Sequence, residues 1–347
     1  MDRKRRFRFA AVLMSFSVAP GFSQTAPHKW AVVLHGGAGT ISPGPAEGIY
    51  RAGLRDALNE AASVLVNGGS SLDAVERAIR ILEDNPNFNA GRGAVFNAEG
   101  KIELDAAIMN GATLQAGAVA GVAHTRHPIS LARALMEKSP HVMLIGPSAD
   151  AFAKEKGLEQ VDQAFFFTEQ RWQALIKKLR EDGQPVPPRP AGAPPEPKKK
   201  ASVETAHFYG TVGVVALDRQ GNLAAGTSTG GTNAKRPGRV GDTPIIGAGT
   251  YASNTSCAVS GTGVGEYFIR LTVAREICAL VQYRGMSVQA AADEIVQKRL
   301  AGMKGDGGVI ALGPDGKMAW SYNTPGMYRA RLEEGGTPVI SIFKGEP

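Results

Sequence analysis

The sequence predicts an α+β fold in which antiparallel sheets are covered by helices. Two observations carry this. Each half of the chain runs strands, then helices, then strands, rather than alternating in βαβ crossovers, and both halves carry hairpin-like strand pairs, at 101–124 and 211–229. With 347 residues, 43% hydrophobic and 20% charged, the chain can bury the core of one large domain or two ordinary ones.

In order, 30–34 is an apolar run that stops at His35-Gly36-Gly37-Ala38-Gly39, a buried strand entering a glycine-rich turn. Helical periodicity covers 46–67. A second helix opens at Ser71, keeps Leu72, Val75, Ile79 and Leu82 on one face, and stops at Asn85-Pro86. Residues 101–124 read as two strands joined at Asn110-Gly111, and helices follow at 128–138 and 168–180. Seven of the 21 prolines then fall between 183 and 200, ending in Lys198-Lys199-Lys200, which predicts an exposed, extended linker over 183–206. Beyond it, 211–218 and 222–229 form a hairpin around Arg219-Gln220-Gly221. Strands are expected at 244–252 and 256–260, helices at 264–283 and 287–300, and strands at 308–312, 317–322 and 338–343.

The first eight residues hold five basic side chains and one acidic, and an apolar run too short to span a bilayer follows at 9–16. This is the layout of a signal peptide over 1–26, with small residues at Gly21, Ser23 and Ala26 for cleavage, so the mature chain is expected to be exported, periplasmic or secreted, without a membrane anchor. Without the leader the formal charge falls from +7 to +3, too thin a basic footprint for a nucleic-acid partner. Cys257 and Cys278 both sit in apolar runs, where free buried thiols are expected, with a single bridge as the alternative in an oxidising compartment. His124 and His127 lack a carboxylate motif, so no catalytic zinc site is expected.

Two places could hold a nucleophile. Gly226-Thr227-Ser228-Thr229-Gly230 matches the G-x-S-x-G elbow, and His35-Gly36-Gly37 imitates an esterase oxyanion loop. An elbow must lead into a helix and have its histidine downstream. Glycine and proline fill 231–242, and the last histidine is His207, so Ser228 is set aside. The other place is Gly210-Thr211, where the linker meets a buried strand. A threonine hydroxyl needs a base, and self-cleavage before Thr211 would free an α-amino group of pKa about 7.7–8.0 to serve as one.

The run Gly210-Thr211-Val212-Gly213-Val214-Val215-Ala216-Leu217-Asp218, followed by Gly221-Asn222-Leu223-Ala224-Ala225, resembles the isoaspartyl peptidase and plant-type asparaginase family. Blocks at 35–40, 87–96, 227–232, 237–242, 261–266 and 323–330 share the resemblance, which spans nearly the whole mature chain. It implies a four-layer αββα Ntn-hydrolase sandwich, cut into an α subunit (27–210) and a β subunit (211–347), the mature unit being a homodimer of αβ pairs. The implied substrates are isoaspartyl dipeptides and L-asparagine. Glycosylasparaginase ranks second because it typically carries Asp-Thr at the scission point, and a silent exported binding protein of the same fold ranks behind both.

By the same resemblance Thr211 is the nucleophile, Thr229 and Thr262 surround it, and Asn89 lies near the oxyanion, with Asn87 and Asn97 as neighbouring alternatives. Thr262 and Gly263 are expected at the start of the 264–283 helix, where free N–H groups favour an oxyanion. Arg239 and Asp242 resemble the pair that holds the α-carboxylate and α-amine of an aspartyl substrate, helped by main-chain groups of Gly263 and Gly265; a guanidinium fork suits the first and a carboxylate the second. No cofactor is implied for catalysis. A structural sodium ion is implied, held by backbone carbonyls of Leu82, Glu83, Asn85, Phe88, Ala90 and Arg92, since such oxygens suit a hard cation.

Overall fold

A computed structural model describes residues 28–41, 43–196 and 208–347, with the backbone alone at 208 and 209. The leader at 1–26 and the linker residues 197–206 lie outside the described residues. Thirteen strands are described: β1 Ala31–Gly39, β2 Leu104–Asn110, β3 Ala116–Val122, β4 Met143–Ile145, β5 Phe208–Tyr209, β6 Val212–Leu217, β7 Leu223–Thr229, β8 Thr250–Ala252, β9 Ala258–Gly263, β10 Gly307–Leu312, β11 Met318–Tyr322, β12 Gly326–Glu333 and β13 Val339–Phe343. The helices are α1 Glu47–Val66, α2 Ser71–Asp84, α3 Pro128–Lys138, α4 Gly146–Glu155, α5 Gln163–Phe166, α6 Glu169–Glu181, α7 Gly265–Leu271, α8 Val273–Arg284 and α9 Val288–Asp293, the last running on as a π-helical segment, Glu294–Leu300.

The strands form two sheets. The larger has the order β13-β12-β1-β6-β7-β2-β3-β4, with β5 added beside β1, and the smaller is β11-β10-β9-β8. Alternation along β1 builds the layers: Val32 and Leu34 join the core under α1, α2 and α3, while Ala31 and Val33 join a second core that Val215, Ala225, Ile310 and Leu312 complete between the sheets. A third core joins the smaller sheet to α8 and α9 through Val259, Val309, Ile277 and Ala292. Helices, sheet, sheet and helices therefore stack as the expected αββα sandwich. Among the described residues no helix is long and apolar enough to cross a membrane.

Several local expectations change. The first strand does not stop at Leu34 but continues to Gly39 with a bulge between His35 and Gly37, because glycine lets the backbone lie against the Phe88 ring, where a Cβ at Gly36 would collide. β3, α3 and β4 form one parallel crossover at the sheet edge, contrary to the expectation of none. Of the expected 244–252 strand only 250–252 form a strand, with Ile246 in an isolated bridge to Thr250, since the Asp242 carbonyl accepts N–H groups from Ile245 and Gly249 and curls the preceding segment. The expected 264–283 helix is broken at Thr272, which is left-handed at φ 47°; the break aims the N–H groups of Ala274 and Arg275 at the carbonyls of Ala248 and Gly247. β12 was not anticipated, because Arg329, Arg331 and Glu333 interrupt its apolar pattern. Arg329 is nevertheless buried, its guanidinium lying 5.0 Å from the centres of both the Trp320 and Tyr322 rings.

The two cysteines are not free thiols. Cys257 and Cys278 are disulfide-bonded, with Cα atoms 5.3 Å apart, tying the entry of β9 to α8. Their apolar surroundings, which suggested reduced thiols, are simply the core between the smaller sheet and that helix. The described part of the linker, 183–196, has no helix or strand, yet Arg189 holds Glu169 of α6 at 2.6 Å and Ala193 packs against the main core.

Candidate active site

The β6–β7 register pairs Val212 with Ser228 and Gly213 with Thr227. The next step of the ladder brings Thr211 to Thr229, and their hydroxyl oxygens lie 3.0 Å apart. Both are nearly buried, Thr211 retaining 8% exposure. Thr229 Oγ1 also accepts the N–H of Gly231, which fixes its position. Ser228 points the other way and donates to Glu83 Oε1 of α2 at 2.6 Å, so the elbow-like serine belongs to the helix-facing core.

Asn89 joins the loop after α2 to Gly210 and to the residues that follow β7. Its backbone N–H donates to the Gly210 carbonyl at 3.2 Å, and its own carbonyl accepts the N–H of Gly230. Its side chain donates to the Gly231 carbonyl and accepts from Val95. These contacts single out Asn89. Asn87 turns to Asn85 instead, and Asn97 bonds the backbone of Glu99 and Lys101. A Cβ on Gly210 would lie 2.6 Å from the Asn89 Cβ, so the junction has no room for a side chain.

Thr262 and Gly263 are not at a helix start. They end β9, the helix beginning only at Gly265 after Val264, because Thr262 and Gly263 pair with Gly308 and Gly307 of β10. Thr262 is fully buried, with the Ala38 N–H of β1 3.4 Å from its Oγ1, so it bridges the two sheets at their site-bearing end. Beneath Thr211 the sheets are also joined by hydroxyls that no local sequence signal marks: His35 Nε2 to Ser260 Oγ at 2.9 Å, Ser260 to Thr227 at 2.7 Å and Thr250 to Thr227 at 2.7 Å. Burial lowers the His35 pKa to about 3, so this imidazole is neutral and can only share hydrogen bonds, not carry charge.

Arg239 and Asp242 flank Gly265. A Cβ there would lie 2.9 Å from both Arg239 Nη2 and Asp242 Oδ1, so glycine opens the space between a cationic and an anionic group. Burial raises the Asp242 pKa to about 7, and its Oδ2 is buried without a hydrogen-bond partner among the described residues. Arg239 is forked onto Glu266, Nε to Oε1 and Nη2 to Oε2 both at 3.0 Å. Lys235, buried under Gly231, donates to the Glu103 carbonyl at 2.9 Å, while the Glu103 carboxylate accepts the N–H of Gly238, so the loop bearing Arg239 is pinned to β2. Burial lowers the Lys235 pKa and raises that of neighbouring Asp105, each charge opposing the other's shift. Local spacing selects neither Glu266, inside the 261–266 block, nor Lys235; closeness to Arg239 is the available signal for Lys235.

In the proposed sodium loop, Leu82 and Glu83 belong to the last turn of α2 and Arg92 to a short 3-10 turn. The carbonyls of Leu82, Asn85 and Ala90 each accept one backbone N–H and keep a second lone pair, which is the donor chemistry a hard cation takes. Among the described residues no cluster of histidine, cysteine and carboxylate side chains could hold a metal.

The asparaginase family model matches residues 28–342. The chain is 46% identical to the isoaspartyl peptidase of Escherichia coli (strain K12), over 91% of its own length and 97% of that protein's. It is 42% identical to the plant-type L-asparaginase of Pyrococcus furiosus, over 88% and 97% respectively. With the isoaspartyl peptidase/L-asparaginase of Xenopus laevis it shares 39% identity, over 92% and 96%.

Proposed function

The chain belongs to the asparaginase family, and from that premise we propose that it is a self-cleaving hydrolase that releases L-aspartate from β-aspartyl dipeptides and L-asparagine. The observation that carries the reading is the 3.0 Å contact between the Thr211 and Thr229 hydroxyls, made beside a Gly210 carbonyl already held by the Asn89 N–H. Maturation begins when Thr211 Oγ1 attacks that carbonyl carbon. The C–N bond breaks, the ester formed is hydrolysed by water, and Gly210 leaves as a carboxylate while Thr211 gains a free α-amine. In the mature enzyme this amine takes the hydroxyl proton as Thr211 attacks the β-carbonyl of the substrate. The proton passes to the departing amino acid or ammonia, and water then cleaves the aspartyl ester.

Recognition follows from the charges around Gly265. Arg239 takes the α-carboxylate and the unpartnered Asp242 oxygen takes the α-ammonium, so the β-carbonyl is left facing the threonines. Thr262 and Gly263 lie on the far sheet as donors toward the oxyanion. The carbonyls of the loop after α2 would hold a sodium ion that stiffens the segment carrying Asn89. The leader supports export, and the working unit is taken as a homodimer of αβ pairs that acts on small molecules or dipeptides, not on nucleic acid.

The test uses Thr211→Ala beside the wild type. Mass spectrometry should find two fragments for the wild type and one intact variant, and aspartate release from β-Asp-Leu should vanish in the variant. A wild type that stays whole and releases no aspartate would overturn the proposal.

A further inference from the structure

Arg171 stands against two ordinary rules. It lies in the first turn of α6, just after the Thr168 cap, where the helix dipole disfavours a cation, and it is buried. Among the described residues it forms no ion pair, its ionisable neighbours being the Tyr50 and Tyr328 phenols, and burial lowers its pKa. What it holds instead is main chain. Nε donates to the Gly93 carbonyl at 2.8 Å and Nη2 to the Asn87 carbonyl at 3.3 Å. Asn87 and Gly93 lie on either side of Asn89 in the loop after α2, so one guanidinium ties both limbs of the segment that carries Asn89. Phe88 of the same loop presses its ring on Gly36 of β1, where a Cβ would lie 2.4 Å away. Held by α6 and by β1, the loop presents the Asn89 N–H to the Gly210 carbonyl at 3.2 Å, at the long end of the hydrogen-bond range, where a small shift of the loop would lose the contact.

We propose that Arg171 is a positioning residue for self-cleavage: it clamps the loop so that the Asn89 N–H stays aimed at the Gly210 carbonyl oxygen while Thr211 attacks. The inference rests on the hydrolase reading given above. In that step a C–O bond forms between Thr211 Oγ1 and the Gly210 carbonyl carbon, and the π electron pair moves onto the oxygen that Asn89 faces. The pair returns as the C–N bond breaks, and the hydroxyl proton ends on the released amine. Arg171 touches none of these atoms and acts through Asn89. Its fork matters as well as its charge, because a lysine carries donors only at its tip and loses the Gly93 bond that Nε makes.

The experiment follows conversion of the intact chain to fragments by mass spectrometry, in samples taken from the start of expression, for the wild type, Arg171→Ala and Arg171→Lys. On the matured fraction it measures calorimetric L-aspartate binding and aspartate release from β-Asp-Leu. Arg171→Ala should slow conversion by about 10- to 100-fold, the worth of one charge-assisted hydrogen bond, so that intact chain accumulates. The matured fraction should bind aspartate nearly as the wild type does, because Arg239 and Asp242 stand on another segment. Arg171→Lys should fall between the two. Wild-type conversion by a folded Arg171→Ala would overturn the proposal and leave the hydrolase reading intact; so would slower conversion matched by an equal loss of aspartate affinity, the mark of a general loss of structure. If Arg171→Ala yields no folded chain, Arg171→Lys decides: slower conversion with aspartate binding kept upholds the clamp, and conversion at the wild-type rate overturns it. A wild type that stays intact and releases no aspartate would remove the hydrolase reading and this proposal together.

Discussion

Thr229 uses one oxygen twice, lying 3.0 Å from Thr211 Oγ1 and accepting the Gly231 N–H. Thr229→Val keeps the shape and loses the hydroxyl, so kcat for β-Asp-Leu should drop by about 10- to 100-fold, the worth of one hydrogen bond to a charged group. Asp242 sets a pH dependence. Its pKa of about 7 means that the free enzyme loses the carboxylate as pH falls below that value, and with it the acceptor for the substrate ammonium. The kcat/KM for β-Asp-Leu should therefore decline below pH 7, where protonation of the Thr211 α-amine adds to the same limb, so Asp242→Asn should lower kcat/KM and make the acid limb shallower without abolishing it; a flat wild-type profile from pH 5 to 8 would contradict the assignment. Ser228→Ala offers the opposite pattern. It removes the 2.6 Å donor from Glu83 Oε1, which keeps the Ile129 N–H at 3.1 Å, costing about 0.5–1.5 kcal/mol of stability by denaturant titration, while aspartate release persists.

Among the elements, α2, α3 and the β6–β7 hairpin are legible because local signals bound them: Ser71, one apolar face and the Asn85-Pro86 stop for α2, Pro128 at the start of α3, and Arg219-Gln220-Gly221 at the turn. The break at Thr272 and the strand β12 are not, because each depends on distant partners: carbonyls at 247 and 248 for the first, aromatic rings for the buried Arg329 in the second. The candidate site divides the same way. Thr211, Thr229, Arg239 and Asp242 stood in recognisable blocks, but the pairing of His35 with Ser260, 225 residues apart, leaves no trace in local spacing. The disulfide was equally hidden, since nothing in two apolar runs says that they face each other. Joining β9 to α8 across a separation of 21 residues, it should contribute about 3 kcal/mol, so Cys278→Ser should lower the denaturant midpoint in proportion.

At the scale of the whole molecule, the sandwich brings both segments of the proposed cut together. Asn89 comes from the segment before the linker and Thr211 from the segment after it, and β6 lies between β1 and β7 in the larger sheet, so the strand that carries the nucleophile is held on both sides whether or not the bond before it is intact. Cleavage can therefore proceed without dismantling the fold. Gly210 is the point where this arrangement is least tolerant, since a side chain would meet Asn89 at 2.6 Å. Gly210→Val should leave a folded, uncut and inactive chain. The most direct measurement is the identity of the first residue of the smaller fragment in the purified wild-type enzyme, read by N-terminal sequencing. Thr211 in first place is the expected result; a fragment beginning at any other residue in an active enzyme, or an active chain with no fragment at all, would contradict the assignment of Thr211 as the uncovered nucleophile.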